Sequence, residues 1–242
     1  MTNITKQTLA SIVSEHFQTV PVLEKYHLDF CCKGKRTLAE ACTQKGLSIE
    51  AVMKELEEAT DETNNRNMPF NEMNAEQLIG HILIHHHYYV KQSMPTIVAH
   101  LTKVVAKHAE KFPFLIDVLS LFNQLKNEMI LHMHKEETVL FPRIKEVASF
   151  YHFKQKKNIG SNYINGLVAV LESEHDEAGE IMYTIRQLTN NYTAPEGACT
   201  TFIVTLAELK EFEEDLHRHV HLENNILFPL AEKMILTLSS SL

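Results

Sequence analysis

Two eleven-residue segments, HMHKEETVLFP at 132–142 and HVHLENNILFP at 219–229, match at six positions without a gap, 87 residues apart. Each carries His-x-x-x-Glu, as His132 with Glu136 and His219 with Glu223. Residues four apart on a helix lie about 40° apart in azimuth and ~6 Å apart along the axis, so each pair can aim both groups at one centre. Imidazole nitrogen and carboxylate oxygen are donors that suit iron, zinc or manganese. A looser element extends the repeat, since His87 lies 45 residues before His132 and His175 lies 44 before His219. Each half of the repeat thus offers a His and then His-x-x-x-Glu.

Helical spacing places these groups on apolar stripes. One series runs Leu115, Val118, Phe122, Leu125, Met129, His132, Glu136, Val139, and another Leu209, Phe212, Leu216, His219, Glu223, Ile226, Leu230. The others run Leu83, His87, Val90, Met94, Ile97, Leu101 and Ile164, Val168, Leu171, His175, Ala178, Met182, Ile185. Four helices therefore each present a polar group where an apolar one belongs. A lone His on such a stripe is more often a hydrogen-bonded core residue, but two buried carboxylates among four imidazoles cost several kcal/mol each unless a cation compensates them. Six donors exceed what one tetrahedral metal takes, which points to two metals bridged by Glu136 and Glu223. Non-haem iron fits the donor set. With an oxo or hydroxo bridge each ion reaches five ligands, leaving a sixth position for a small diatomic such as nitric oxide or dioxygen. Glu137, Glu174 and Asp176 are candidates to accept from the outward N–H groups of these imidazoles.

Other reactive-looking residues read more plainly. His134 and His221 point about 160° from the donor face, since two residues turn a helix by ~200°, which suits surface or supporting roles. His85 and His86 sit off the stripe, as solvated or bundle-edge residues. Met94, Met129 and Met182 read as core filler, and the Leu-Phe-Pro ending each repeat as a packing element with a local kink. Cys31 and Cys32 lie beside Lys33, Lys35 and Arg36, surroundings expected to lower a thiol pKa. Their own chemistry leaves a reactive pair and a structural pair equally open. Cys42 and Cys199 lack such company and read as structural.

The elements that must position these groups are helices. With only 7 glycines and 7 prolines among 242 residues, and no period-2 run, the chain reads as all-α. Four long segments, 74–107, 113–147, 161–190 and 197–236, are separated by turns at Pro113, at Gly160 with Ser161, and at 194–197. Short connections make sequence neighbours antiparallel, giving an antiparallel four-helix bundle over 74–242. Helix 74–107 is expected to kink at Pro95. Ahead of the bundle, a helix over 8–20 ends against Pro21, Thr37 with Glu40 forms a capping box, and Ser48 starts a further helix. These make a small helical domain over 1–60. The polar run DETNNRNMPFN marks a linker, 61–73, and Asn74 with Gln77 caps the bundle's first helix.

Composition narrows the function classes. A formal charge of −8 argues against a nucleic-acid partner. No run approaches the ~18 apolar residues of a membrane span, and the first ten residues lack a signal-peptide pattern, so a cytoplasmic protein is expected. Four cysteines do not make a disulfide scaffold, whereas 15 histidines are a surplus that suits metal binding.

The motifs HMHKEETVLFP, ESEHDEAGE and HVHLENNILFP, with DFCCKGKRTL near the start, together resemble the iron-sulfur cluster repair family, also called repair of iron centres, over nearly the whole chain. The resemblance implies a hemerythrin-like bundle with two non-haem iron ions per chain, preceded by a Cys-Cys domain. It implies restoration of iron-sulfur proteins damaged by nitrosative or oxidative stress, by supplying iron. The family's ligands fall on His87, His132, Glu136, His175, His219 and Glu223, and its small-domain cysteines, implicated in redox or iron transfer, on Cys31 and Cys32. The run His85, His86, His87 departs from the pattern and blurs the first ligand's register; His87 alone fits the stripe. Reduction of nitric oxide, peroxide or dioxygen at the same centre, and carriage or sensing of a diatomic gas, stay open beside repair. So do the client, the electron donor and the oligomeric state, a homodimer included.

Overall fold

A computed structural model describes residues 4–60, 70–155 and 162–240. Among these the chain is helical, with one isolated bridge between Thr8 and Thr37. Four short helices come first: α1 (Leu9–Glu15), α2 (Val20–Lys25), α3 (Leu38–Lys45) and α4 (Ile49–Thr60). Four long ones follow: α5 (75–108), α6 (114–152), α7 (Asn162–Leu188) and α8 (200–240). In the bundle α5 packs on α6, α6 on α7, and α8 on both α7 and α5. The C-terminal segments of α6 and α8, Phe141–His152 and Phe228–Ser240, close against each other at one end.

The caps follow from residue chemistry. Thr37 accepts from the Glu40 backbone N–H while Glu40 accepts from that of Thr37, and Asn74 and Gln77 repeat the exchange at the start of α5. Gly46 ends α3 at φ 64°, a left-handed conformation that glycine adopts without a Cβ clash. The helix expected over 8–20 instead breaks at His16 (φ −138°), and Pro21 opens α2 rather than ending α1. Proline fits there because the first turn of a helix has no use for its missing N–H. Most of the expected linker, and the Gly160–Ser161 turn, lie outside the described residues. Phe70, at the linker's end, is buried against Phe17 with rings 4.8 Å apart.

Two apolar clusters flank one polar layer. The first joins Val90–Val104, Leu115–Met133, Ala178–Ile185 and Phe202–Val220 to the core of the small domain, including Leu9, Leu23, Phe30 and Leu56. The second joins Ala75–Ile82, Leu140–Val147, Ile164–Leu171 and Leu222–Leu238. On every long helix the polar residues noted above fall where one cluster gives way to the other. The six candidate ligands thus sit mid-bundle, walled by hydrocarbon on both sides.

Candidate metal centre

Three of the four long helices change geometry where they meet this layer. π turns span Ile82–His87, Glu136–Leu140 and Glu223–Leu227, each closed by an N–H five residues on: Tyr88 to Leu83, Phe141 to Glu136, and Phe228 to Glu223. The proline after each LF pair, Pro142 and Pro229, has no N–H, so the regular ladder is interrupted there in any case. The extra residue slips the buried stripe by one. Leu140 is buried where Val139 was expected, Ala231 in place of Leu230, and Ile82 in place of Leu83. Helix α7, without a π turn, keeps its register through His175. At Pro95, where a kink was expected, α5 runs on as helix.

His87, Glu136, His219 and Glu223 bring their donor atoms within 4.8 Å of one another, as do His132, Glu136, His175 and Glu223. Both carboxylates belong to both groups. Within the first group His87 Nε2 lies 3.3 Å from Glu136 Oε2, and His219 Nε2 lies 3.0 Å from Glu223 Oε1. In the second, His132 Nε2 lies 3.4 Å from Glu136 Oε1, and His175 Nε2 lies 3.2 Å from Glu223 Oε2. All six side chains are buried, Glu136 and Glu223 completely.

Outward atoms fix the inward ones. His87 Nδ1 donates to Glu137 (2.8 Å), His132 Nδ1 to Glu174 (2.9 Å) and His175 Nδ1 to Asn224 Oδ1 (2.8 Å). A carboxylate or amide oxygen only accepts, so Nδ1 carries the proton and each Nε2 lone pair faces the interior. Those nitrogens meet in pairs, His132 with His175 at 2.9 Å and His87 with His219 at 3.2 Å. Among the described residues no oxygen of Glu136 or Glu223 has a hydrogen-bond partner. Facing lone pairs and orphaned buried carboxylates call for cations, and two ions between the two groups would satisfy every one of these atoms.

Without metal, protons must fill that role. Burial alone would lower the pKa of His87, but Glu136 and Glu223 raise it from 6.5 to about 10. His132 likewise rises to about 9, chiefly through Glu136 acting against burial. His219, facing His87, is lowered, mainly by burial. Glu223 is held well below the usual carboxylate range despite its burial, by His219 and His175.

Several expectations need correction. Asp176 is exposed, and the acceptor for His175 is Asn224 instead. The repeat itself could have found Asn224, because it corresponds to Glu137 at the offset of 87. His86 is buried and bonds Asp215 (2.9 Å), since the π turn carries it inward beside His87. His221 is fully buried against the Phe30 ring (5.7 Å) because the small domain covers that face; its counterpart His134 is exposed. Burial lowers the pKa of His221 to about 4.

The cysteines also differ from expectation. Asp29 Oδ1 accepts from the backbone N–H groups of Cys31, Cys32 and Lys33, curling the loop around one carboxylate oxygen. Cys31 Sγ lies 3.8 Å from Cys32 Sγ and 3.3 Å from Asp29. The neighbouring thiol, burial and Asp29 together push the Cys31 pKa well up, opposite to the lowering expected beside Lys33, Lys35 and Arg36. Cys42 is buried, as expected of a structural cysteine. Cys199 is better furnished than its sequence suggested: it stands at the N-cap position of α8, lies 3.2 Å from His108 Nε2, and has a lowered pKa, chiefly through the Phe202 backbone N–H.

A cleft of about 840 Å³ runs between small domain and bundle, from Asp29, Cys31 and Cys32 to the face of His175. Across the interface His217 bonds Glu24 (2.8 Å), Arg186 donates to His27 (3.2 Å), and Asn225 donates to the Cys31 carbonyl (3.0 Å). Asn224 and Asn225, consecutive on the α8 π turn, thus hold a metal-facing imidazole and the cysteine loop respectively.

Comparison with known proteins finds two family matches along the chain. Residues 78–231 match the hemerythrin HHE cation binding domain, and residues 5–60 a Domain of Unknown function (DUF542). The chain is 37% identical over 213 residues to the iron-sulfur cluster repair protein YtfE of Citrobacter koseri, covering 87% of this chain and 89% of that protein. Identity to the proteins of that name from Shigella boydii serotype 4 and Escherichia coli O81 is 37% and 38% over the same shares. With both domains matched and the similarity running along most of its length, this chain belongs to the iron-sulfur cluster repair protein family, with a hemerythrin HHE cation-binding bundle as its larger part.

Proposed function

We propose that this chain holds two non-haem irons between His87, His132, Glu136, His175, His219 and Glu223, with both carboxylates bridging the pair, and supplies iron for the repair of damaged iron-sulfur clusters. The observation that carries the reading is the pair of overlapping donor groups sharing Glu136 and Glu223, whose four oxygens have no hydrogen-bond partner among the described residues. Carboxylate and imidazole donors retain ferrous iron less tenaciously than thiolates retain softer ions, which suits a centre that gives up its cargo. The relatives' printed names support cluster repair; the proposal takes damaged iron-sulfur proteins as the clients and the cytoplasm as the place of work. No described helix is long and apolar enough to cross a membrane.

The residues divide the work. Glu137, Glu174 and Asn224 hold three imidazoles in the donor tautomer. The apolar clusters keep bulk water from the centre, and the cleft brings Cys31 and Cys32 to its rim. A cluster enzyme inactivated by nitric oxide provides the test: iron-loaded protein is expected to restore its activity beyond what an equal amount of free ferrous iron achieves. Recovery no better than with free iron would contradict the proposal.

A further inference from the structure

Segment 81–87 reads HILIHHH, four histidines in seven residues, of which the centre uses only His87. The other three lie outside everything assigned above. Their placement follows from a break in the repeat's internal symmetry.

His132 has its outward Nδ1 on Glu174, which also pairs with Lys135. His87 has its own on Glu137, which pairs with Lys91 at 2.6 Å. Carboxylate and lysine together close the bundle over each ring. Glu174 precedes His175, and by the repeat its counterpart is His86, which precedes His87. At the symmetry-related place beside His219 there is accordingly no acid. His219 Nδ1 is buried without a hydrogen-bond partner among the described residues. His86 instead stacks on His219, ring centres 5.5 Å apart and planes within 6°. From His86 the next ring is His81, at 5.6 Å, and from His81 the next is His85, at 4.3 Å. Exposure rises along this series: His219 and His86 are buried, His81 is half-buried and His85 is open to solvent.

Asp215 accepts from His86 Nδ1, which leaves the Nε2 lone pair free when the ring is neutral. Burial and the neighbouring His85 and His86 hold the His81 pKa down to about 4, so its ring offers a lone pair at neutral pH. Imidazoles in successive ring contact, stacked at His219–His86, edge-on at His86–His81 and tilted at His81–His85, run from the buried centre to the surface as a chain of weak donors for a divalent cation.

We propose that His86, His81 and His85 form a relay that passes ferrous iron between solvent and the His87–His219 half of the centre. The inference rests on the iron-supply reading above. Each step exchanges one nitrogen–iron bond for another at constant oxidation state. The relay makes the His87–His219 position the first to empty and the last to fill. The rival route is the cleft at His175, beside Cys32 and Gly179.

The test uses the full-length chain without oxygen, measuring iron loss to a colour-forming ferrous chelator and reloading of the stripped protein with ferrous iron. His81→Gln with His85→Gln, and separately His85→Ala, preserve polarity or alter only an exposed side chain. A Cβ at Gly179 meets Cys32 Sγ at 3.9 Å, so Gly179→Leu obstructs the cleft as a control. Both His variants are expected to hold two irons with an unchanged optical spectrum. In the double variant both rates should fall by roughly tenfold or more, the scale on which outer partners of ligating histidines act. Unchanged rates in the His variants, or slowing confined to Gly179→Leu, would overturn the relay. If loading slows as expected but released iron rebuilds no cluster in a depleted enzyme, the relay stands and iron supply is what fails.

Discussion

At the scale of single residues, the centre depends on which atom of each side chain faces inward. Glu136 and Glu223 each have both oxygens without a hydrogen bond among the described residues, and both belong to both donor groups. Glu136→Ala or Glu223→Ala is therefore expected to lose both metals, as measured by metal analysis of freshly purified protein; retention of one full equivalent would refute the bridge. Asn224 fixes His175 from outside, so Asn224→Ala should weaken metal binding by about 10–100-fold in chelator competition. Asp176→Asn, at an exposed position, should leave it unchanged. A proton balance follows from His87 and His132, whose pKa values without metal are about 10 and about 9. Both rings are protonated at neutral pH and must lose that proton to bind metal, so loading is expected to release about two protons per chain there. The release should decline as pH rises through 9 and 10, which calorimetry in buffers of different ionisation enthalpy can follow. Release that stays constant to pH 10 would contradict the assignment.

At the scale of elements, the long helices are built to change pitch at the centre. The π turns carry Glu136 and Glu223 at their starts and His87 at the end of the first, and each shifts the apolar stripe by one residue beyond it. A helix interrupted this way often marks a functional site. The small domain has its own tight place at Gly34. A Cβ there would lie 2.2 Å from the Phe30 carbonyl oxygen and 2.9 Å from Ala10 Cβ, with the cysteine loop between. Gly34→Ala should destabilise the protein by roughly 1–3 kcal/mol through overpacking, seen as an earlier midpoint in denaturant; an unaltered midpoint would contradict this. The four long helices and the six candidate ligands were legible in the sequence because a regular stripe reached each of them from one side, and the boxes at Thr37 and Asn74 because their residue types and spacing are local. Across the three π turns that regularity fails, and Val139, Leu230 and Leu83 were misplaced because 3.6-residue spacing cannot anticipate an inserted residue. His86 was misjudged for the same reason. His221 and the Cys31 thiol depend on how the two domains meet, which local patterns do not encode.

At the scale of the whole molecule, the small domain is fused to the bundle rather than tethered beside it. Its core is continuous with the bundle's first apolar cluster, and Glu24, His27 and the Cys31 carbonyl bond His217, Arg186 and Asn225. This contact covers His221 and frames the cleft that leads from the cysteines toward His175. None of the centre's donors comes from the small domain, so Cys31→Ser combined with Cys32→Ser should leave the metal content unaltered while diminishing transfer to a client. The most direct test of iron supply is to load the protein with isotopically labelled iron, incubate it with a cluster-depleted enzyme and excess competing chelator, and locate the label. The account predicts label in the rebuilt cluster, in proportion to recovered activity and beyond that from equal free labelled iron. Recovered activity with unlabelled clusters, or label confined to the chelator, would contradict it.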